Sequence, residues 1–218
     1  MTRVRVKICG ITSPKDLLTA VEAGADAVGF IVDVPQSPRN LSVDKAGKLI
    51  QATPVFVDTV MVTVPEDVSH LEKIYEESNA NIIQVHASSH LHKEIRERLP
   101  DSCLICGVQA RSEATTDIVI QAAANLFNAV LIDSHVPGRY GGTGITHDWG
   151  LSRRIRELIH PKPLILAGGL RPENVSEAIR TVKPFAVDVS TGVESRPGVK
   201  DRKKVFEFIR NAQEAEIY

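Results

Sequence analysis

The chain is short of several features, and each shortage removes a class of function. It has three cysteines in 218 residues. An odd, small number argues against a disulfide framework and for a reducing, cytoplasmic setting. Neither sign of charge is in excess, since 26 Lys and Arg against 27 Asp and Glu leave a formal net charge of −1. No basic face stands out, so nucleic acid is not the expected partner. The most charged run, Lys93–Arg98 (KEIRER), mixes signs as a solvated helix face does. No apolar run approaches the roughly 20 residues that a membrane helix needs. Met1 leads straight into a strand pattern, so no signal peptide is expected.

What is present is ordinary for a globular protein: 43% hydrophobic and 24% charged residues. The length suits one domain with a large core, spanning residues 1–218.

Strand and helix patterns alternate along the chain. Residues Val4 to Ile8 alternate apolar and polar, the period of a strand, and end at Cys9 and Gly10. Ser13 and Pro14 open a helix that Gly24 stops. Further strands are expected at Ala27–Val32, Val55–Val64, Asn81–Val85, Cys103–Val108, Ala129–Asp133, Pro163–Ala167 and Phe185–Val189. The helices between and after them are expected at Val43–Gln51, Glu66–Ser78, Ser89–Leu99, Ser112–Ala124, Asp148–Ile159, Pro172–Arg180 and Asp201–Glu214.

Most strands are short, continuous apolar runs, as when both faces of a parallel sheet are buried. Eight alternating units with right-handed crossovers imply a single-domain α/β protein, a (β/α)8 TIM barrel. A doubly wound open sheet competes, but it places its glycine-rich phosphate loop after an early strand. Here the glycine clusters follow strands six, seven and eight.

Those clusters are Gly141–Gly144 (GGTG), Gly168–Gly169 and Ser190–Gly192 (STG). A glycine pair alone makes a turn. Three clusters on one rim, where backbone amides approach closely, point to phosphate. Asp133 closes the sixth strand, where one-sided desolvation raises a carboxyl pKa and suits a proton donor; a helix cap or loop salt bridge is the plainer alternative. Asp188 and Ser190 share a face at the end of the eighth strand, and Asp188 also reads as a buried structural carboxylate. Cys9, otherwise a small hydrophobe, needs a nearby positive charge to lower its thiol pKa if it moves protons. Lys7, two residues back on the same face, is placed to supply one. Arg39, on the loop after the second strand, is a fixed cation able to grip a carboxylate.

Two patterns lead nowhere. Cys103 and Cys106 lie three apart on a strand and face opposite ways, so they do not chelate. His90 and His92 diverge on a helix, leaving His86 alone at a strand end. A metal site is therefore not expected.

Taken together, these segments resemble phosphoribosylanthranilate isomerase of tryptophan biosynthesis. The matching stretches are Val6–Thr12 (VKICGIT), Ala25–Phe30 (ADAVGF), Pro35–Arg39 (PQSPR), Ile83–His86 (IQVH), Leu131–Ser134 (LIDS), Gly141–Gly144 with Asp148 and Trp149, Ala167–Val175 (AGGLRPENV), Val187–Glu194 (VDVSTGVE) and Pro197–Asp201 (PGVKD). The first and the VDVSTGVE stretch are the specific ones.

The resemblance implies a cofactor-free Amadori rearrangement in which Cys9 is the general base, Asp133 the general acid and Arg39 the holder of the anthranilate carboxylate. His86, Gly142, Gly144, Gly168, Gly169, Asp188, Ser190, Thr191 and Gly192 complete the expected substrate contacts. The expected partner is a small phosphorylated substrate, with no nucleic acid and no membrane, for a monomer or homodimer. Thr59–Val62 (TVMV), Val34, Ala87 and His147 depart from the family's usual residues, which bears on substrate breadth and rate more than on reaction type. Two other readings remain: a silent barrel that only binds a phosphorylated metabolite, and a metal-dependent sugar-phosphate epimerase.

Overall fold

The computed structural model describes residues 3–110, 113–134 and 149–215. Eight parallel strands form the barrel wall: β1 (Arg5–Ile8), β2 (Ala27–Val32), β3 (Asp58–Thr63), β4 (Ile82–Val85), β5 (Cys103–Ala110), β6 (Ala129–Ser134), β7 (Leu164–Leu166) and β8 (Ala186–Val189). Each pairs with the next, and β1 pairs with both β2 and β8, so the sheet closes. Eight helices surround it: α1 (Pro14–Glu22), α2 (Val43–Gln51), α3 (Val68–Ser78), α4 (His92–Arg98), α5 (Glu113–Leu126), α6 (Trp149–Ile159), α7 (Val175–Val182) and α8 (Arg202–Gln213). A two-residue strand, Asn40–Leu41, joins the edge of β2. A small antiparallel hairpin, Glu194–Arg196 with Val199–Lys200, follows β8.

Local chemistry sets the helix starts. The Ser13 hydroxyl accepts from the Asp16 amide at 3.1 Å, with Pro14 at the first helical position. Asp67 accepts from the Ser69 amide at 2.8 Å, which starts α3 at Val68 rather than Glu66. Asp201 accepts from the Lys204 amide at 3.1 Å ahead of α8. Each satisfies an amide that the first turn leaves without an intrahelical partner.

Three expected elements begin three residues later than their sequence patterns. Val55 and Phe56 belong to a turn, closed by the Val57 amide on the Pro54 carbonyl at 3.3 Å, so β3 starts at Asp58. Residues Ser89–Leu91 form a single tight turn before α4. The Asn174 side chain bridges the Arg171 amide and the Gly169 carbonyl, so α7 begins at Val175 rather than Pro172. Ser112, the expected cap of α5, and Asp148, the expected start of α6, lie outside the described residues.

Two cores result from the strand period of two. The outer core, between wall and helices, holds Val6, Ile8, Phe30, Met61, Ile83, Leu104, Ile132 and Val187 with the helix residues Leu71, Ile179 and Phe208. The inner core holds Val60, Val62, Ile105, Leu131 and Ile165, with Cys9 at its upper edge. Inward positions near the carboxyl ends of β4, β6 and β8 are polar, and with Cys9 they carry the site.

The fold makes a paired stability prediction. Phe208 is fully buried, so Phe208→Ala is expected to cost about 3–5 kcal/mol in urea unfolding. Phe56 is fully exposed at φ 72°, a backbone region that Asn adopts more readily, so Phe56→Asn is expected to cost nothing measurable.

Candidate active site

Cys9 leaves β1 with its amide on the Val189 carbonyl of β8 at 2.8 Å. Gly10 then turns the chain at φ 74°, and a methyl group there would sit 2.6 Å from Cδ of Arg39 and 2.9 Å from Oγ of Ser190. Only glycine meets both demands. Across the seam to β2, Gly29 leaves room for the Cys9 sulfur, which lies 2.9 Å from where a Cβ would stand.

A buried polar chain crosses the barrel mouth beneath the thiol. Lys7 Nζ donates to Gln84 Oε1 at 2.8 Å and to Asp188 Oδ1 at 3.1 Å. Gln84 Nε2 lies 2.9 Å from His86 Nε2. Because the ammonium only donates, it fixes the amide orientation of Gln84, whose NH2 then donates to His86. Burial and the nearby Lys7 charge lower the His86 pKa to about 4, so the ring is neutral at pH 7 with its proton on Nδ1. Gly107 on β5 makes space for this ring, since a methyl there would overlap it.

The sequence leads one to expect a lowered thiol pKa at Cys9. The structure has the cations but not the net effect. Burial pushes the Cys9 thiol up, Lys7 and Lys200 pull it down, Asp188 adds to the rise, and burial prevails in the free protein.

Arg39 does not lie open on its loop. It is buried, with Nε on Glu194 Oε1 and Nη2 on Glu194 Oε2, both at 2.7 Å, a bidentate pairing. Nη2 also reaches Thr191 Oγ1 at 3.4 Å. Lys200 Nζ meets Glu194 Oε1 at 3.0 Å and the Ser190 carbonyl at 3.2 Å. Burial alone would raise the Glu194 pKa, but Arg39 and Lys200 outweigh it and hold the carboxyl below the usual range.

Of these groups, Cys9, Arg39, Gln84, His86 and Asp188 open onto one cavity of about 470 Å³ at the carboxyl ends of the strands. Its lining includes Cys9, Arg39, His86, Asp133, Gly168, Gly169, Asp188, Ser190, Thr191 and Gly192, and Val34 where the resemblance leads one to expect an aromatic residue. The structure thus brings together every expected site residue except Gly142 and Gly144, which lie outside the described residues, as does His147. Asp133 ends β6 half-buried, beside Gln109 in the ladder to β5.

Gly168 and Gly169 both have positive φ, 83° and 65°, and their amides have no acceptor among the described residues. The loops after β7 and β8 pack so tightly that a methyl at Gly192 would collide with the Leu170 carbonyl. The Ser190 hydroxyl beside them is buried without a partner among the described residues. Loops after the seventh and eighth strands are where barrels of this fold often hold phosphate.

The sequence profile of N-(5'-phosphoribosyl)anthranilate (PRA) isomerases matches residues 6–211. The chain belongs to the N-(5'-phosphoribosyl)anthranilate isomerase family. The N-(5'-phosphoribosyl)anthranilate isomerase of Methanosarcina acetivorans is 45% identical over 225 residues, covering 97% of this chain and 94% of that one. The crystal structure of the Thermotoga maritima phosphoribosyl anthranilate isomerase superposes with a TM-score of 0.81 at 40% identity, covering 96% of this chain and 98% of that one. A phosphoribosyl anthranilate isomerase in complex with reduced 1-(o-carboxyphenylamino)-1-deoxyribulose 5-phosphate superposes with a TM-score of 0.78 at 37% identity, over 96% and 98% of the two chains.

Sequence reasoning missed Gln84, Glu194 and Lys200 as partners of Lys7 and Arg39 around this cavity. Glu194 and Lys200 stand in the stretches that carry the resemblance, but no spacing rule shows that they meet Arg39. Their weight is measurable. Glu194→Gln leaves two buried cations with no carboxylate and is expected to cost about 3–5 kcal/mol in urea unfolding at pH 7. Since the folded pKa is depressed, Glu194 contributes stability above the ordinary carboxylate range and loses it as pH falls below that range. The variant's stability is therefore expected to fall less steeply with acid than that of the wild type.

Proposed function

We propose that this chain isomerises N-(5'-phosphoribosyl)anthranilate to 1-(2-carboxyphenylamino)-1-deoxyribulose 5-phosphate in tryptophan biosynthesis, with Asp133 as general acid and Cys9 as general base. One observation carries the role assignment: a thiol just past β1 and a carboxyl from β6 line a single cavity that also reaches the glycine rim. The family and the ligand held by its crystallised relative support the reaction.

The residues divide the work as follows. Main-chain amides at Gly168, Gly169 and Gly192, with the Ser190 hydroxyl, take the phosphate. Gly142 and Gly144 belong to the same rim by sequence. Arg39, locked by Glu194, presents its remaining Nη1 edge to the anthranilate carboxylate. Asp133 gives its proton to the furanose ring oxygen. The bond from C1′ to that oxygen breaks, and the anthranilate nitrogen supplies the electron pair that makes a C1′ iminium. Cys9, as thiolate, then removes the proton from C2′, and that electron pair neutralises the iminium as an enolamine. Transfer of the 2′-hydroxyl proton away and addition of a proton at C1′ complete the ketone. Asp188 and His86 line the cavity beside Cys9 and bind the sugar hydroxyls. No net atom or electron is gained, as an isomerisation requires.

The whole span 1–218 acts as one barrel domain. Among the described residues no helix is long and apolar enough to cross a membrane. All three cysteines are free, which suits work in the cytoplasm.

Fluorescence decay of phosphoribosylanthranilate made in situ tests the assignment. Asp133→Asn is expected to lose at least about two decades in rate, the scale of a missing general acid. Cys9→Ala is expected to abolish turnover while the reduced product analogue still binds. Unchanged kinetics in either variant would remove that residue from the mechanism. No turnover in the wild type would favour a barrel that only binds.

A further inference from the structure

Six buried ions stand around the Cys9 end of the barrel. Lys7 on its own strand, Arg39 from the loop after β2 and Lys200 from the hairpin after β8 are cations. Against them stand three carboxylates: Asp188 on β8, Glu194 on the hairpin, and Asp16 on α1, which accepts from the Lys200 amide at 3.3 Å. His86, just past β4, is neutral, Asp133 on β6 lines the other side of the cavity, and Lys204 on α8 also lines it. Of the three cations, Lys7 is the one that shares a strand face with the thiol.

We propose that Lys7 is the positioning residue that makes Cys9 a base: its ammonium, fixed by Gln84 and Asp188, stabilises the thiolate that takes the C2′ proton. The inference rests on the reading of Cys9 as the general base and adds a residue to it.

The geometry is specific. Lys7 on β1 and Cys9 just past its end lie two apart and share its inward face. Cε of Lys7 and Sγ of Cys9 sit 3.1 and 2.9 Å from the same point, the place a Cβ on Gly29 would occupy. So Gly29 lets both side chains into one space, and any larger residue there would part them. The Lys7 ammonium has three N–H bonds. Gln84 and Asp188 take two of them at 2.8 and 3.1 Å, which leaves one for the sulfur. Lys7 is also the strongest of the groups drawing the thiol pKa down, while Asp188 drives it up.

The two ends of one ion pair thus act on the thiol with opposite sign. A merely structural pair would not behave that way, because breaking it from either side would loosen the same packing.

The test follows the rate of Cys9 alkylation by iodoacetamide against pH, read as the mass of the Cys9 peptide so that exposed Cys103 does not interfere. Lys7→Met is expected to move the thiol midpoint up by about one pH unit, a tenfold slower alkylation at neutral pH. The kcat for phosphoribosylanthranilate is expected to fall with it, with KM little changed. Asp188→Asn is expected to move the midpoint down, and Lys7→Arg to restore it. Midpoints that stay put, or that shift the same way in Lys7→Met and Asp188→Asn, would overturn the proposal. Should Lys7→Met not fold, Asp188→Asn decides alone, and an unchanged or raised midpoint there overturns it. Turnover surviving in Cys9→Ala would instead end the base assignment and leave the thiol titration standing.

Discussion

The ion pair between Lys7 and Asp188 sits on the seam where the barrel closes. The two residues are direct neighbours in the β1–β8 ladder, so the last pairing to complete the wall brings an ammonium against a carboxylate. Both are buried, at 4% and 8% exposure. A buried charge without its partner is far more costly than one with it. A slip of one residue by either strand would also turn its charged side chain into the apolar outer core and leave the other unpaired. Closure in the right register and assembly of the thiol's surroundings are therefore one event. Gln84 and His86 extend the same constraint to β4, halfway round the wall.

Around that seam the site depends as much on missing side chains as on present ones. Gly29 admits the Cys9 sulfur and the Lys7 stem, and Gly107 admits the His86 ring. Gly192 lets the last two functional loops touch, which aligns their amides on one rim. Strand ends supply the reactive groups, while glycines decide how closely those groups approach each other. The second buried cluster, Arg39 with Glu194 and Lys200, ties the loop after β2 to the hairpin after β8. It spans the seam from outside as Lys7 and Asp188 span it from within.

Much of this was legible in the sequence because local rules govern it. Eight apolar runs separated by capped helices give the barrel, and the cap at Ser13 holds in the structure. The resemblance from Val6 to Asp201 marks the family. Element ends were less legible, because Val55 and Phe56 look like strand residues until a turn at Pro54 claims them. Long-range pairing was not legible at all. Glu194 stands 155 residues from Arg39, and nothing local announces that the two will meet. The direction of the Cys9 shift was hidden for a related reason. It is the difference between burial and several charges, and a strand pattern shows neither distance nor depth. A loop arginine read as free to hold a substrate proved to be half-engaged by its own protein, which leaves a narrower but better-aimed edge.

The central claim is that Cys9 and Asp133 work from opposite sides of one sugar. A crystal structure of this chain with the reduced product analogue measures it most directly. The account predicts the Cys9 sulfur about 3–3.5 Å from C2′ on one side, the Asp133 carboxyl on the other, and the phosphate on the amides of Gly168, Gly169 and Gly192. A ligand bound with either side chain turned out of the cavity, or with both on the same side of the sugar, would contradict it.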